Sequence, residues 1–277
     1  MTISYATDPT AAKVKRKPTR GWRRLMERWS PAILIVVLLA VWETCVRVFD
    51  VPRFLLPTPS EIARLMVDEW SLVQMHSIST IWSVATGYLA ATAFALAASA
   101  LMIRFALAEK LIMPIFVALQ SVPKIAIAPL ILVWVGAGLG SKILIVASIA
   151  FFPIVINTMV GFKEVDRGLA DVFRSVSANE RQLFMKLRLP YAMPYIFAGL
   201  RIATTLSVLG AIVAEWLAAS NGLGYLVLSG SFNFNTARSF AAIIALAVIG
   251  TGFFALMSWI ERLVSWKRHG GNDSTTI

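Results

Sequence analysis

Six stretches of the chain stay apolar long enough to cross a bilayer: about 31–49, 80–103, 111–135, 143–162, 191–214 and 239–260. A helix needs about 20 mostly apolar residues to traverse a hydrocarbon core of roughly 30 Å. The pattern therefore predicts an all-α, polytopic membrane protein with about six transmembrane helices. The third stretch holds Pro114, Pro123 and Pro129; proline breaks the backbone ladder, so this stretch is expected to be kinked or split in two, and shielded by protein or water. Between the first two stretches, "LLPTPSEIARLMVDEW" places Ser60 as the cap of a short helix beginning at Glu61. The spacing of Ile62, Leu65, Met66 and Glu69 makes that helix amphipathic, suited to an outer membrane face.

Between the fourth and fifth stretches the pattern changes. In "EVDRGLADVFRSVSANERQLFMKLRLP", Val165, Leu169, Val172, Phe173 and Val176 describe one face of a helix. The periodicity pauses at "SAN" and resumes at Leu183, Phe184 and Leu187, while Asn179 and Gln182 have the spacing of a capping box. The segment at about 163–190 thus predicts helix, turn, helix. Its polar side mixes signs, with Asp171 and Glu180 among Arg174, Arg181, Lys186 and Arg188. A helix lying on anionic lipid carries a strongly basic face. Mixed charge beside apolar anchors suits a groove in a protein partner better.

Composition agrees with a membrane protein: 58% of residues are hydrophobic and 15% charged, against about 25% charged in an ordinary soluble domain. A net charge of +11 would fit a nucleic-acid binder only if Lys and Arg gathered on one folded face. They cluster instead between the apolar stretches. With the N-terminus inside, nineteen of them fall in cytoplasmic segments and four, Arg53, Arg64, Lys142 and Arg238, fall outside. That asymmetry predicts both termini in the cytoplasm. The expected organisation is a basic cytoplasmic tail over 1–30, a membrane domain over 31–265 and a flexible cytoplasmic tail over 266–277. No small-x-small cleavage site follows "PAILIVVLLAVW", so the first stretch reads as an uncleaved span.

Cys45, His76 and His269 are the full complement of Cys and His, too few for a Cys/His metal site. They also offer little toward an intramembrane nucleophile and base; no metal or cofactor is expected. "GAGLGSK" (136–142) resembles a phosphate loop, but it has three residues between Gly136 and Gly140 where four are required, and Ile143 follows the lysine. It reads as a tight turn, so any ATP site belongs to another chain. Polar residues inside spans are costly and mark function by default. Glu43 and Arg201 suit structural pairing. Lys124, Asn157 and Glu215 are candidates for a solute pathway, although Asn157 also suits an interhelical bond. Glu215 precedes a short apolar segment, 216–229, that carries the turn "NGLG" and is expected to be re-entrant. His76 reads as interfacial packing.

The 163–190 segment resembles the cytoplasmic loop of bacterial ABC-importer inner-membrane subunits, with its Glu-Ala-Ala, three residues, Gly, nine residues, Ile-x-Leu-Pro pattern. Asp171, Val172 and Phe173 take the Glu-Ala-Ala positions, Ser177 the glycine, and Leu187, Leu189 and Pro190 the ending. "FLLPTPSEI", "SVPKIAIAPLILVWVGAGLGSK", "FFPIVINTMVGFKEVD" and "LPYAMPYIFAGLRIA" are similar to successive landmarks of the nitrate, sulfonate and taurine branch, over about residues 50–265. "GAIVAEWLAASNGLGYLVL" looks closest to permeases for pyrimidine precursors of thiamine. The resemblance implies a type I ABC-importer permease of the bacterial inner membrane that forms a homodimer. Its implied partners are cytosolic ABC ATPase subunits and a periplasmic or extracellular solute-binding protein. It implies that the loop is a coupling helix seated on the ATPase through Asp171, Val172, Phe173, Val176, Ser177, Leu187 and Pro190. The solute would be small and polar or anionic, and the sequence does not name it. The alternative is a secondary transporter driven by an ion gradient; such folds often show repeated halves, and none is visible here.

Overall fold

A computed structural model describes residues 20–218 and 220–265. The expected tails lie largely outside these residues. α1 (Arg20–Val48) holds the first apolar stretch and forms, through Val51, a body of its own. Residues 33–39 present an exposed apolar surface, and Glu43 pairs with Arg47 one turn later.

The second body begins at Pro52. Its first helix, α2 (Pro59–Asp68), is capped by Thr58 and not by Ser60. Glu61 N donates to Thr58 Oγ1, and Thr58 N donates to Glu61 Oε2, both at 3.2 Å. Pro59 fits the first helical position because the N–H it lacks has no helical partner there. α2 packs on α11 (Thr236–Ser265) with Ile62 buried, and Arg238 grips Glu69 with two bonds of 2.6 and 2.8 Å. α3 (Trp70–Arg104) follows directly and starts ten residues before the predicted span.

The third apolar stretch is broken in two. α4 (Ala106–Gln120) and α5 (Lys124–Val135) meet at 100°. The physical cause lies in residues 121–123: Pro123 has no N–H, and it disfavours helical backbone at Val122. α6 (Leu139–Lys163), α7 (Arg167–Ser175), α8 (Glu180–Leu183), a π turn over Phe184–Arg188, α9 (Leu189–Ala218), α10 (Leu223–Phe232) and α11 complete the order. Among the described residues four helices are long and apolar enough to cross a membrane: Trp70–Arg104, Leu139–Lys163, Glu180–Leu217 and Thr236–Val264. The bent pair makes a fifth if counted as one broken span.

α6 is the hub, packed mainly against α9 and α3. Apolar surface gains little by leaving lipid, so close backbone approach at small residues carries the association. Val146 of α6 lies between Gly87 of α3 and Gly210 of α9. A Cβ at Gly87 would meet Val146 Cβ at 2.5 Å, and one at Gly210 would meet Val146 Cα at 2.9 Å. Overpacking of this kind costs about 1–3 kcal/mol. Gly210→Val is therefore expected to lower the unfolding midpoint in detergent, and an unchanged midpoint would show that α6 and α9 can part without penalty.

Two ends of this bundle carry the features of interest. α2, α10, the starts of α3, α6 and α11 and the close of α9 gather at one end. At the other lie α7, α8 and the Lys163–Glu109 ion pair, 2.6 Å long, which ties the end of α6 to the start of α4.

Candidate functional site

At the α10 end, the turn between α9 and α10 is held by side chains far away in sequence. The first backbone N–H groups of a helix have no partner inside it. Here Gly222 N donates to His76 Nδ1 at 2.9 Å, Leu223 N to Thr80 Oγ1 at 2.8 Å and Gly224 N to Glu215 Oε2 at 2.8 Å. Thr80 Oγ1 donates in turn to Glu215 Oε1 at 2.8 Å. The Glu215 carboxyl, 0% exposed, thus lies at the N-terminus of α10, where the helix dipole favours an acidic group. Gly222 has φ +113°, and a Cβ there would fall within the Glu215 carboxyl group, so glycine is required. His76 accepts at Nδ1, which leaves its proton on Nε2, and its ring stacks on Tyr225 at 5.9 Å. Asn221 is fixed as well: Lys142 Nζ donates to its backbone oxygen at 3.2 Å and to Oδ1 at 2.8 Å, and Ser79 Oγ donates to Oδ1 at 3.1 Å.

The three pathway candidates are not brought together. Glu215 belongs to this clasp. Lys124 sits half-buried just past the bend; its Nζ donates to Gln120 O at 3.0 Å, closing the end of α4, and lies 4.6 Å from the Phe152 ring centroid. Asn157 Nδ2 donates to Pro153 O at 2.8 Å within α6, and its Cβ faces Gly199 of α9. Sequence reasoning singled out Glu215 and the "NGLG" turn but not His76, Thr80 or Lys142 as their partners. A signal was present: His76, Ser79, Thr80 and Ser83 form a polar stripe at helical spacing within an apolar span. Among the described residues no group of three His, Cys, Asp or Glu is placed to hold a metal ion.

At the opposite end the 163–190 segment folds as helix, turn, helix. Asp166 caps α7 by accepting from the N–H groups of Gly168 and Leu169. The Asn179–Gln182 capping box starts α8, with bonds of 2.8 and 2.9 Å. The apolar positions of α7 divide into two adjoining stripes. Ala170 and Phe173 turn inward onto Leu183 and Leu187, with Phe173 half-buried. Leu169, Val172 and Val176 face outward, and the two valines are 59% and 72% exposed. Asp171 is exposed and pairs with Arg174 at 2.9 Å, a surface contact worth about 0–1 kcal/mol. Pro190 is half-buried in the first turn of α9.

Ser177 is the C′ residue of α7, with φ +57°. Its N–H bonds Arg174 O at 2.9 Å, and Ala178 N–H bonds Phe173 O at 3.0 Å, the paired bonds of a Schellman motif. Left-handed backbone costs an L residue about 1–2 kcal/mol. Ser177→Gly is expected to stabilise the protrusion by about 0.5–1 kcal/mol, read as slower amide exchange over α7. Faster exchange would show that the serine hydroxyl does more for the turn than its backbone strain costs.

Residues 84–266 match the family described as "Binding-protein-dependent transport system inner membrane component". The formylaminopyrimidine transport permease protein ThiX of Halalkalibacterium halodurans is 33% identical over 248 residues, covering 89% of this chain and 99% of that protein. The riboflavin transport system permease protein RibX of Chloroflexus aurantiacus is 34% identical, covering 85% of this chain and 89% of its own. The putative aliphatic sulfonates transport permease protein SsuC of Bacillus subtilis is 31% identical over 263 residues, covering 93% of each chain.

Proposed function

This chain belongs to the inner-membrane components of binding-protein-dependent ABC transporters, and from that premise we propose that it carries a small polar organic or anionic solute inward, with its α7 end in the cytoplasm. Permeases of this family work with a solute-binding protein and with a separate ATPase that hydrolyses the ATP. The relatives' names specify a formylaminopyrimidine, riboflavin and aliphatic sulfonates, so the class of solute is proposed and no single compound.

The observation that carries the coupling proposal is the outward stripe of Leu169, Val172 and Val176 on a charged, capped protrusion. Apolar anchors at helical spacing are what a groove recognises. In this reading Val172 and Val176 touch the ATPase, with Asp171 at the rim. Phe173 and Leu187 hold α7 against the helix that follows, Ser177 sets the turn, and Pro190 anchors the segment to α9. Lys124, Asn157 and Glu215 act on the pathway through the backbone they hold.

Two copies of the chain are proposed to pair around the path. Residues 121–123 expose irregular backbone within the broken span, and non-helical backbone at membrane depth must be covered by protein or line a water-filled cavity. Closed two-fold pairing is the commonest oligomer.

Cysteine labelling tests orientation and docking together. In a Cys45→Ser background, Asp68→Cys and Asn233→Cys should react with an impermeant thiol reagent in intact cells. Asp171→Cys should react only after permeabilisation, and more slowly with the ATPase bound. Labelling of Asp171→Cys in intact cells would reverse the orientation and remove the coupling role.

A further inference from the structure

A pocket of about 440 Å³ opens at the α10 end, walled by Ser79, Trp82 and Ser83 of α3, Lys142 of α6, and Ser220 and Asn221 of the turn before α10. Ala137, Gly138 and Leu139, at the start of α6, complete the lining. Lys142 is only 7% exposed, and among the described residues no carboxylate comes within ion-pair distance of its ammonium. The oxygens of Glu215 are committed to Thr80 and Gly224. An ammonium has three donors, and Asn221 takes two of them, which leaves one N–H.

The Asn221 amide adds to this surplus of donors. Its oxygen accepts from both Lys142 and Ser79, so the orientation of the group is fixed with Nδ2 as the free donor side. Nothing acidic lines the pocket. Its volume is at the small end for ligand sites, about 300–1,000 Å³, and the exposed Trp82 ring supplies an apolar wall.

We propose that this pocket binds the oxyanion head, sulfonate or carboxylate, of a small organic anion. The proposal deepens the transport reading and rests on it for one point only, that the solute approaches from the α10 side. A buried ammonium with a spare N–H and a fixed amide donor complement charge-assisted bonds to an oxyanion. A neutral solute of the same shape would leave the Lys142 charge unanswered.

Thiol labelling of the full-length chain in nanodiscs tests this without ATP, so failure of coupling would leave the result readable. Ser220→Cys in a Cys45→Ser background is treated with 2-sulfonatoethyl methanethiosulfonate or its trimethylammonium counterpart, with rates normalised to a free thiol. The anionic reagent should react faster by about five-fold or more, as a locally positive cleft concentrates anions. Methanesulfonate should slow it, and neutral dimethyl sulfone should not. Lys142→Gln should remove both effects and Lys142→Arg should retain the preference. Equal rates without protection in the chain that retains Lys142 would overturn the site, as would equal protection by dimethyl sulfone. If phosphatidylglycerol in the nanodisc slows labelling while methanesulfonate does not, a lipid headgroup occupies the pocket and the solute assignment fails.

Discussion

Glu215→Ala is expected to abolish uptake while leaving the chain in the membrane. The side chain is buried at the start of α10 and accepts from Gly224 N–H and Thr80 Oγ1. Removing it strands the Gly224 N–H, while Thr80 Oγ1 keeps His76 O as an acceptor at 3.2 Å, and a buried unsatisfied donor costs about 1–3 kcal/mol. The loss falls on one turn and not on the whole bundle, so local opening is the expected consequence. The amides of Leu223 and Gly224 should exchange at least about ten-fold faster, since each 1.4 kcal/mol is a decade. Gly222→Ala should act alike by a different route, because its Cβ would displace the carboxyl group and its φ of +113° disfavours any side chain. Glu215→Gln, which keeps one acceptor oxygen, should exchange at an intermediate rate. Wild-type exchange in Glu215→Ala would show that the clasp does not hold the turn.

Val172→Asp combined with Val176→Asp should uncouple the permease from its ATPase with the fold intact. Both valines are more than half exposed, so substitution removes little internal packing. Full burial of a valine contributes about 1.5–3 kcal/mol, and a carboxylate pressed into an apolar groove adds a desolvation cost. Association should weaken by about ten-fold or more per site, and uptake should fall with it. Phe173→Asp should fail differently. Phe173 packs on Ala170, Leu183 and Leu187, so a charge there loosens α7 itself. Protease should then cut within 167–188 in the Phe173 variant and spare the double valine variant. Retained co-purification of the ATPase with the double variant would remove Val172 and Val176 from the docking surface.

These two sites differ in how far the sequence revealed them. Among the described residues four of the six predicted spans are matched by helices long and apolar enough to cross a membrane, and a fifth if α4 and α5 count as one broken span. These were legible because about twenty apolar residues in a row have one physical use. The helix, turn, helix segment was legible from its period and from the Asn179–Gln182 spacing, which acts locally. Residues 121–123 announced a break through Pro123, but the 100° angle depends on tertiary packing. The early start of α3 at Trp70 was hidden because its first turns are polar at His76, Ser79 and Thr80. Their partners lie 135 to 146 residues away in sequence, and no local pattern encodes such a separation. The two stripes of α7 were legible as one apolar face. Which of them turns inward depends on where Leu183 and Leu187 return. Ser177 was visible as a glycine position, and the left-handed backbone supplies the reason.

The most direct measurement is site-directed crosslinking between α7 and the ATPase in the assembled transporter. Single cysteines at Val172, Val176, Phe173 and Leu187, in a Cys45→Ser background, are treated with a short photoactivatable thiol crosslinker. The account predicts ATPase adducts from Val172→Cys and Val176→Cys, and none from Leu187→Cys, which is buried against α7. Adducts from Phe173→Cys or Leu187→Cys with none from the two valine positions would contradict it.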